Sequence, residues 1–178
     1  MPAHLPSSDL TLTEDARAKV ALWAGDHWDG VFALLYRLTR NRHEAEDLTQ
    51  ETFLRAARQN DSFQPGTNLR AWLMRIAVNA HLDQRRRQHV ARSEPLPDDV
   101  PATGAAPCER LAGAELAAAL ERAMGQLPEL ARAVFLLRTR EELSFREIGE
   151  AIQTTEETAR WHMLQARRRL LQELGEWI

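Results

Sequence analysis

Apolar residues recur along this chain at steps of three and four, the period of an α-helix, and no segment shows the alternation of a β-strand. Three such stretches occupy residues 26–40, 42–58 and 68–88. Their predicted buried stripes are Trp28, Phe32, Leu35 and Leu38; Ala45, Leu48, Thr52 and Ala56; and Leu69, Trp72, Leu73, Ile76, Ala77 and Ala80. Because amphipathic helices bury their stripes against one another, the pattern predicts an all-α fold that begins with a helical bundle.

Two stretches rich in helix-breaking residues divide this pattern. Residues 59–67 contain the pair Pro65-Gly66, which prevents a continuous helix, and Asn68 follows as a predicted N-cap. Residues 92–108 combine prolines with small and acidic residues and have nothing to bury. We therefore expect a leader without an assigned role at 1–25, a helical domain at 26–91, a flexible acidic linker at 92–108 and a second helical domain at 109–178.

The second domain contains the pattern of a helix-turn-helix. Two residue pairs have the spacing of a capping box: Ser144 with Glu147, and Thr154 with Glu157. In a capping box a hydroxyl caps the start of a helix and a carboxylate reaches back to the cap. The pattern therefore predicts a short helix, a polar turn at Gln153 and a long second helix, an arrangement that suits the DNA major groove.

Helical geometry divides the long second helix into two faces. Its predicted buried stripe is Ala159, Met163, Ala166 and Leu170. The outward residues are Trp161, Leu164, Gln165 and Arg168, flanked by Arg160, Arg167 and His162. An outward tryptophan can contact thymine methyl groups, and arginine or glutamine can bond to bases and phosphates. Packing of Trp161 against another helix or a protein partner is the alternative interpretation.

Charge is unevenly distributed, although the net charge is only −3. Residues 69–92 hold six arginines and one acid, whereas residues 93–121 hold six acids and one arginine. Opposite charge blocks indicate different surfaces for different partners. In the basic block, Arg70, Arg75, Arg85, Arg86 and Arg87 can neutralise phosphates, and Asn79 can bond to a base edge. Alternatively, the terminal arginines only complement the dipole of their helix.

Several function classes lack their signatures in this sequence. Asp47 and Glu51 are paired at helical spacing, but no histidine or metal-ligand set accompanies them, so we expect no enzyme, metal or other cofactor. The single cysteine, Cys108, excludes an internal disulfide and fits a reducing cytoplasm. No long apolar run is present, and the first ten residues lack the pattern of a signal peptide, so membrane insertion is not expected.

The ordered set of motifs resembles the extracytoplasmic-function (ECF) sigma factors of bacterial RNA polymerase. In the first domain the resembling residues are 47–53 (DLTQETF) and 72–79 (WLMRIAVN), with Asp83 and Arg86. In the second domain they are Leu127, Pro128, Arg132, Val134, Phe135, residues 143–148 (LSFREI), Thr158 and residues 165–167. Each motif alone is weak, because similar helix-turn-helix patterns occur in response-regulator output domains. The full set is specific, because it runs in order from about residue 26 to 174.

The resemblance implies a sigma region-2-like bundle and a region-4-like helix-turn-helix domain, with a partner for each surface. Docking on the clamp helices of the polymerase β′ subunit would use Asp47, Gln50, Glu51 and Leu54. Recognition of the −10 element, with a base flipped from the non-template strand, would use Ser62, Phe63, Arg75, Asn79, Arg85, Arg86 and Arg87. The second domain would sit on the β flap and read the −35 element through Thr158, Arg160, Trp161, His162, Gln165, Arg167 and Arg168. Anti-sigma proteins commonly restrain this family, so such a partner is implied too.

The start of the recognition helix departs from the family pattern. The usual Gly-Thr-Val-Lys/Arg-Ser-Arg appears as residues 157–162 (ETARWH), and Gln165 replaces a common arginine. Fewer cations and a bulky aromatic imply an atypical −35 sequence or a more apolar contact. Two rival interpretations stay open: a stand-alone regulator that uses only the helix-turn-helix, and an adaptor that binds polymerase or a sigma factor without reading promoters. The sigma interpretation alone accounts for both domains.

Overall fold

The computed structural model describes residues 14–91 and 111–175, and within these ranges the chain is helical without any strand. The first domain consists of α1 (Glu14–Thr39), α2 (Arg42–Arg58), a 3₁₀ turn (Asn60–Ser62) and α3 (Leu69–Ala91). The second consists of α4 (Leu111–Gly125), α5 (Glu129–Thr139), α6 (Phe145–Ala151) and α7 (Glu156–Leu174). The predicted linker and Cys108 lie outside the described residues. No helix in the described ranges is long and apolar enough to cross a membrane.

Helix α1 begins at Glu14, well before the predicted start at residue 26. Trp23 explains this extension, because its ring packs edge-on against Phe63 and Trp72 at centroid distances of 5.7 Å. Val20 and Ala24 also pack against the core. The second half of the predicted leader is therefore helical and contributes apolar contacts to the first domain.

The three helices of the first domain bury the predicted stripes of α2 and most of that of α3. On α1 the buried residues are Val31, Leu34, Leu35 and Leu38. The prediction that Trp28 belongs to the buried stripe is wrong, because its ring lies at the edge of the bundle, 36% exposed and stacked on Phe53. Helix α3 buries additional residues, among them Met74, Val78 and His81, because the second domain covers another of its sides.

The second domain packs α4, α5 and α6 around α7. The predicted stripe of α7 is buried as expected: Ala159, Met163, Ala166 and Leu170. Ala123 and Leu127 pack against the C-terminal part of this stripe. The N-terminal part joins a larger cluster in which Val134, Leu137 and Ile148 share one core with the first domain. The two domains therefore contact each other through apolar as well as polar residues.

Candidate nucleic-acid interface

The helix-turn-helix opens with the first predicted capping box, which is confirmed. The hydroxyl of Ser144 accepts a hydrogen bond from the backbone N–H of Glu147 at 3.2 Å. The Glu147 carboxylate accepts from the backbone N–H of Ser144 at 2.7 Å and from its hydroxyl at 2.6 Å. These bonds stabilise the charged carboxylate, so they lower the pKa of Glu147. The cap fixes where α6 begins.

The second predicted capping box is wrong, because the N-cap of α7 is Thr155 rather than Thr154. The N–H of Thr154 donates to the carbonyl of Gly149 at 2.8 Å, and Gln153 takes a left-handed φ of 57°. Thr154 thus closes the end of α6 in a Schellman-type arrangement, and the capping role passes to the next residue. The Thr155 hydroxyl accepts from the N–H of Thr158 at 3.1 Å, which leaves Glu157 outside the cap.

The outward face of α7 carries two large apolar side chains. Trp161 is 55% exposed and Leu164 is 47% exposed, one turn apart. Arg167 and Arg168 are exposed beside them, and Gln165 is half-buried. The alternative that Trp161 packs against another helix of its own domain does not fit this exposure. The helix therefore presents a surface that is apolar near its start and cationic further along.

Residues at the start of α7 are partly committed to contacts within the domain. Arg160 pairs with Glu156, with its Nη2 2.5 Å from Oε1, and its guanidinium lies 4.8 Å from the centre of the Phe145 ring. His162 packs against the edge of Trp161 at 5.0 Å, and burial lowers the pKa of its imidazole. Thr158 is half-buried, with its hydroxyl 2.9 Å from that of Thr155.

The predicted −10 residues lie around the 3₁₀ turn and the adjacent face of α3. Asn68 caps α3 as predicted, since its side-chain oxygen accepts from the N–H of Ala71 at 3.1 Å. Ser62 is exposed and donates its hydroxyl to the carbonyl of Gln59 at 2.7 Å. Phe63 is half-buried and packs against Trp23 and Trp72, with its ring centre 5.3 Å from that of Trp72.

Arg75 and Asn79 lie half-buried one turn apart on α3. Arg75 borders a cavity of about 400 Å³ between the two domains. The first domain lines this cavity with Ser62, Gln64, Thr67, Asn68, Ala71, Trp72 and Arg75, and the second with Leu143, Glu147 and Glu150. The cavity thus brings Ser62 and Arg75 together, but two carboxylates of α6 border the same space. The sequence did not indicate that these two acids lie near Arg75, because nothing in the pattern shows which faces of the two domains meet.

The arginine run at the end of α3 is exposed, and each member has an intramolecular contact. Arg85 lies 3.0 Å from the Glu129 carboxylate in the second domain, and Arg86 lies 3.5 Å from Asp83. Arg87 donates to the backbone carbonyl of Asp83 at 3.3 Å. Contacts of this kind between exposed groups are weak, so phosphates can compete for the arginines.

The predicted polymerase-docking residues lie on the outer side of α2. Asp47 and Gln50 are exposed, and Leu54 is 48% exposed. Glu51 differs from them, because it pairs with Arg55 at 2.8 Å, and Arg55 also reaches Asp83 of α3 at 2.9 Å. Burial alone would lower the pKa of Arg55, but these two carboxylates outweigh it and raise that pKa.

Comparison with known sequences matches both domains to one family. Residues 25–90 match the family model of Sigma-70 region 2, and residues 117–170 match that of Sigma-70, region 4. The chain is 40% identical to the ECF RNA polymerase sigma factor SigE of Mycolicibacterium smegmatis, over 84% of this chain and 59% of SigE. It is 33% identical to the ECF sigma factor SigW of Bacillus subtilis, over 83% of this chain and 84% of SigW.

The fold is similar to that of solved sigma factors. The sigma factor RpoE of Bartonella quintana, in complex with the anti-sigma factor NepR, matches with a TM-score of 0.68 and 25% identity, over 92% of this chain and 98% of that one. CnrH, in complex with the cytosolic domain of CnrY, has the same fold, with a TM-score of 0.62. Among the described residues, no group of three or more His, Cys, Asp or Glu could hold a metal ion. With both Sigma-70 regions matched in order and SigW aligned over most of its length, the chain belongs to the ECF family of RNA polymerase sigma factors.

Proposed function

We propose that this chain gives RNA polymerase its promoter specificity, with core docking, −10 recognition and −35 recognition assigned to separate surfaces. The observation that carries the proposal is the outward face of α7, where Trp161 and Leu164 stand exposed within a helix-turn-helix of a Sigma-70 region 4 match. An exposed apolar pair on a helix of this kind is suited to the floor of the major groove.

Core docking is assigned to α2. The exposed surface of α2 combines an acidic, a polar and an apolar side chain: Asp47, Gln50 and Leu54. We assign this surface to the clamp helices of the β′ subunit. Glu51 would act at the edge of this surface, because its carboxylate also holds Arg55. The second domain would rest on the β flap. These two assignments imply a cytoplasmic location, because that is where the polymerase works.

Recognition of the −10 element is assigned to the 59–67 loop and α3. Arg75 and Asn79 offer hydrogen bonds to an unstacked base, Ser62 and Phe63 shape the loop beside it, and Arg85, Arg86 and Arg87 contact phosphates. Unstacking a base costs a few kcal/mol, which a pocket that holds the base can offset. The chain itself would not make or break covalent bonds, because in this scheme promoter melting is the capture of an unstacked base.

Recognition of the −35 element is assigned to α7. Trp161 and Leu164 would contact thymine methyl groups, Gln165 a base edge, and Arg167 and Arg168 the phosphates. Thr158 and His162 would contact the DNA at the edge of this surface. Arg160 would contact the DNA only after its ion pair with Glu156 is broken. On polymerase the two DNA readers are held at a fixed spacing, so two modest affinities combine.

An anti-sigma protein is part of the proposal as a restraining partner. Its support is the similarity of the whole fold to RpoE, which was solved in complex with NepR.

The proposal is tested by transcription in vitro with sigma-free bacterial core polymerase on fragmented genomic DNA, with transcript starts mapped. We expect discrete starts that share two upstream motifs. Asn79→Ala should weaken the downstream motif among these starts, whereas the exposed control Gln172→Ala should leave both motifs unchanged. Binding to core without specific starts would favour the adaptor. Absence of binding to core would favour a stand-alone regulator.

A further inference from the structure

The 59–67 loop, which carries Ser62 and Phe63, has few ties to the helices of its own domain. From Asp61 to Asn68 every residue except Phe63 is exposed. The hydrogen bonds that residues 60–67 form within the described chain are all local, since each joins residues three positions apart. Phe63 is half-buried and packs against the core. Its ring therefore determines where this loop lies on the bundle.

Phe63 is held by two tryptophan rings that belong to different helices. The ring centres of Trp23 in α1 and Trp72 in α3 lie 5.7 Å and 5.3 Å from that of Phe63. The two tryptophans also contact each other, with their centres 5.7 Å apart, so the three rings form one closed cluster. Trp23 meets both partners edge-on, at interplanar angles of 71° and 74°, which is a favoured geometry for aromatic pairs.

Trp23 lies on a part of α1 that precedes the region matched to the family model. The match to Sigma-70 region 2 begins at residue 25, whereas α1 begins at Glu14. Within this extension, residues 14–24, the side chains of Val20, Trp23 and Ala24 are half-buried and pack against the core. Their spacing of three and four positions places them on one face of the helix. The neighbouring Leu22, in contrast, is 71% exposed.

The aromatic cluster adjoins the face of α3 that is assigned to the unstacked base. Trp72, Arg75 and Asn79 follow one another at steps of three and four, so they share one side of the helix. Ser62 precedes Phe63 directly and borders the same cavity as Arg75. A contact that fixes Phe63 against Trp72 therefore also fixes Ser62 relative to Arg75.

From these contacts we propose that the N-terminal extension of α1 is a positioning element for −10 recognition, and that Trp23 acts through Phe63. The role of the loop itself rests on the proposed function. Without the Trp23 ring, the loop samples conformations that do not receive a base. The apparent affinity for the base falls in proportion to the fraction of competent loop conformations, although Trp23 makes no DNA contact in this scheme.

Hydrogen exchange of the full-length protein, read by mass spectrometry, tests the ordering of the loop without DNA. We expect Trp23→Ala to raise the exchange rate of residues 60–67 about tenfold, because the loop opens more often, and to leave α7 unchanged. Trp23→Phe keeps an aromatic ring and should restore most of the protection. Leu22→Ala removes an exposed side chain one position away and should behave like the wild type. Equal exchange of the loop in the wild type and Trp23→Ala would overturn the positioning role.

DNA binding by the complex with core polymerase tests the consequence for −10 recognition. The probe is a fluorescein-labelled non-template strand that carries only the mapped downstream motif, and its anisotropy gives the affinity. We expect Trp23→Ala to bind this strand about tenfold more weakly than the wild type. A duplex that carries only the upstream motif should bind equally to both. Trp23→Phe should regain most of the affinity for the single strand, and Leu22→Ala should retain all of it.

Two results of the DNA measurement would overturn the proposal. Faster exchange of the loop with unchanged binding of the single strand would mean that the cluster only stabilises the fold. An equal loss of affinity for both DNA probes would mean that Trp23→Ala damages the protein as a whole. If the wild-type complex does not prefer the single strand to a scrambled one, the proposed function fails instead, and hydrogen exchange still decides whether Trp23 orders the loop.

Discussion

Single side chains decide where the helix-turn-helix begins and what it can contact. Ser144 and Glu147 satisfy each other's backbone groups at the start of α6, whereas Thr155 caps α7 without a carboxylate partner. On α7, Arg160 pairs with Glu156 and its guanidinium lies over the Phe145 ring, and the next residue, Trp161, is an exposed aromatic side chain. Residue chemistry therefore favours an apolar contact at the position where the family usually places polar or cationic residues.

We expect Ser144→Ala to lower the free energy of unfolding by about 1 kcal/mol, because the cap of α6 is lost. Ser144→Thr, which keeps a hydroxyl that can both accept from the Glu147 N–H and donate to the Glu147 carboxylate, should retain most of the stability. Because the folded-state pKa of Glu147 is lowered, the carboxylate adds stability above the usual glutamate pKa and loses it as pH falls through the folded value. Urea unfolding at neutral and acidic pH measures both effects. Equal acid sensitivity in the wild type and Ser144→Ala would contradict the role of this pair.

We expect Trp161 to contact a thymine methyl group in the −35 element. Each thymine of the mapped −35 motif is replaced in turn by deoxyuridine, which removes one methyl group. At the position that Trp161 contacts, this replacement should weaken promoter binding about fourfold, since a buried methylene-sized group contributes roughly 0.8 kcal/mol. Trp161→Ala should abolish that sensitivity, whereas Gln172→Ala should preserve it. The contact is refuted if the Trp161→Ala holoenzyme still distinguishes thymine from uracil at that position.

At the scale of elements, close approach of backbones sets the angle between α6 and α7. A Cβ added to Gly149 would lie 3.0 Å from the carbonyl oxygen of Thr154 and 3.1 Å from the carbonyl carbon of Thr155. These are backbone atoms of the turn, so they cannot move aside without tilting the second helix. The recognition helix is thus oriented by a glycine that contacts no DNA itself.

We expect Gly149→Ala to destabilise the protein by roughly 1–3 kcal/mol, the usual cost of forcing extra volume into a packed site. Gly25→Ala is the matched control, because Gly25 lies inside α1 with no atom within 4 Å of the added Cβ. That control should gain about 0.5–1 kcal/mol, since alanine favours a helix interior over glycine. Thermal unfolding compares the two variants, and a neutral Gly149→Ala would contradict the close approach.

The sequence predicted the bounds and caps of helices correctly where residues that are neighbours along the chain determine them. The predicted stretch 42–58 coincides with α2, and Asn68 caps α3 as expected. The start of α1 was missed, because Trp23 and its neighbours face the core at only a few positions and the 59–67 loop supplies their partner Phe63. The capping residue of α7 was misplaced by one position, because adjacent threonines offer the same hydroxyl and the closing bond of α6 decides between them.

At the scale of the whole molecule, the arrangement of the two domains could not be predicted from the sequence. Arg70 and Glu141 are separated by 71 positions, and neither a period nor a charge count indicates that they meet. The candidate sites likewise depend in part on how the two domains pack together. The exposure of Trp161 follows from helix periodicity, whereas the acids that border the cavity near Arg75 follow only from the packing of α6 on α3.

We propose that two surfaces of one chain read two separate promoter elements. Transcript starts mapped on a randomised promoter library, with core polymerase and either wild type, Asn79→Ala or Trp161→Ala, test this proposal. We expect Trp161→Ala to relax or change only the upstream motif and Asn79→Ala to weaken only the downstream one. Identical upstream motifs with the wild type and Trp161→Ala, or a loss of both motifs together in either variant, would contradict it.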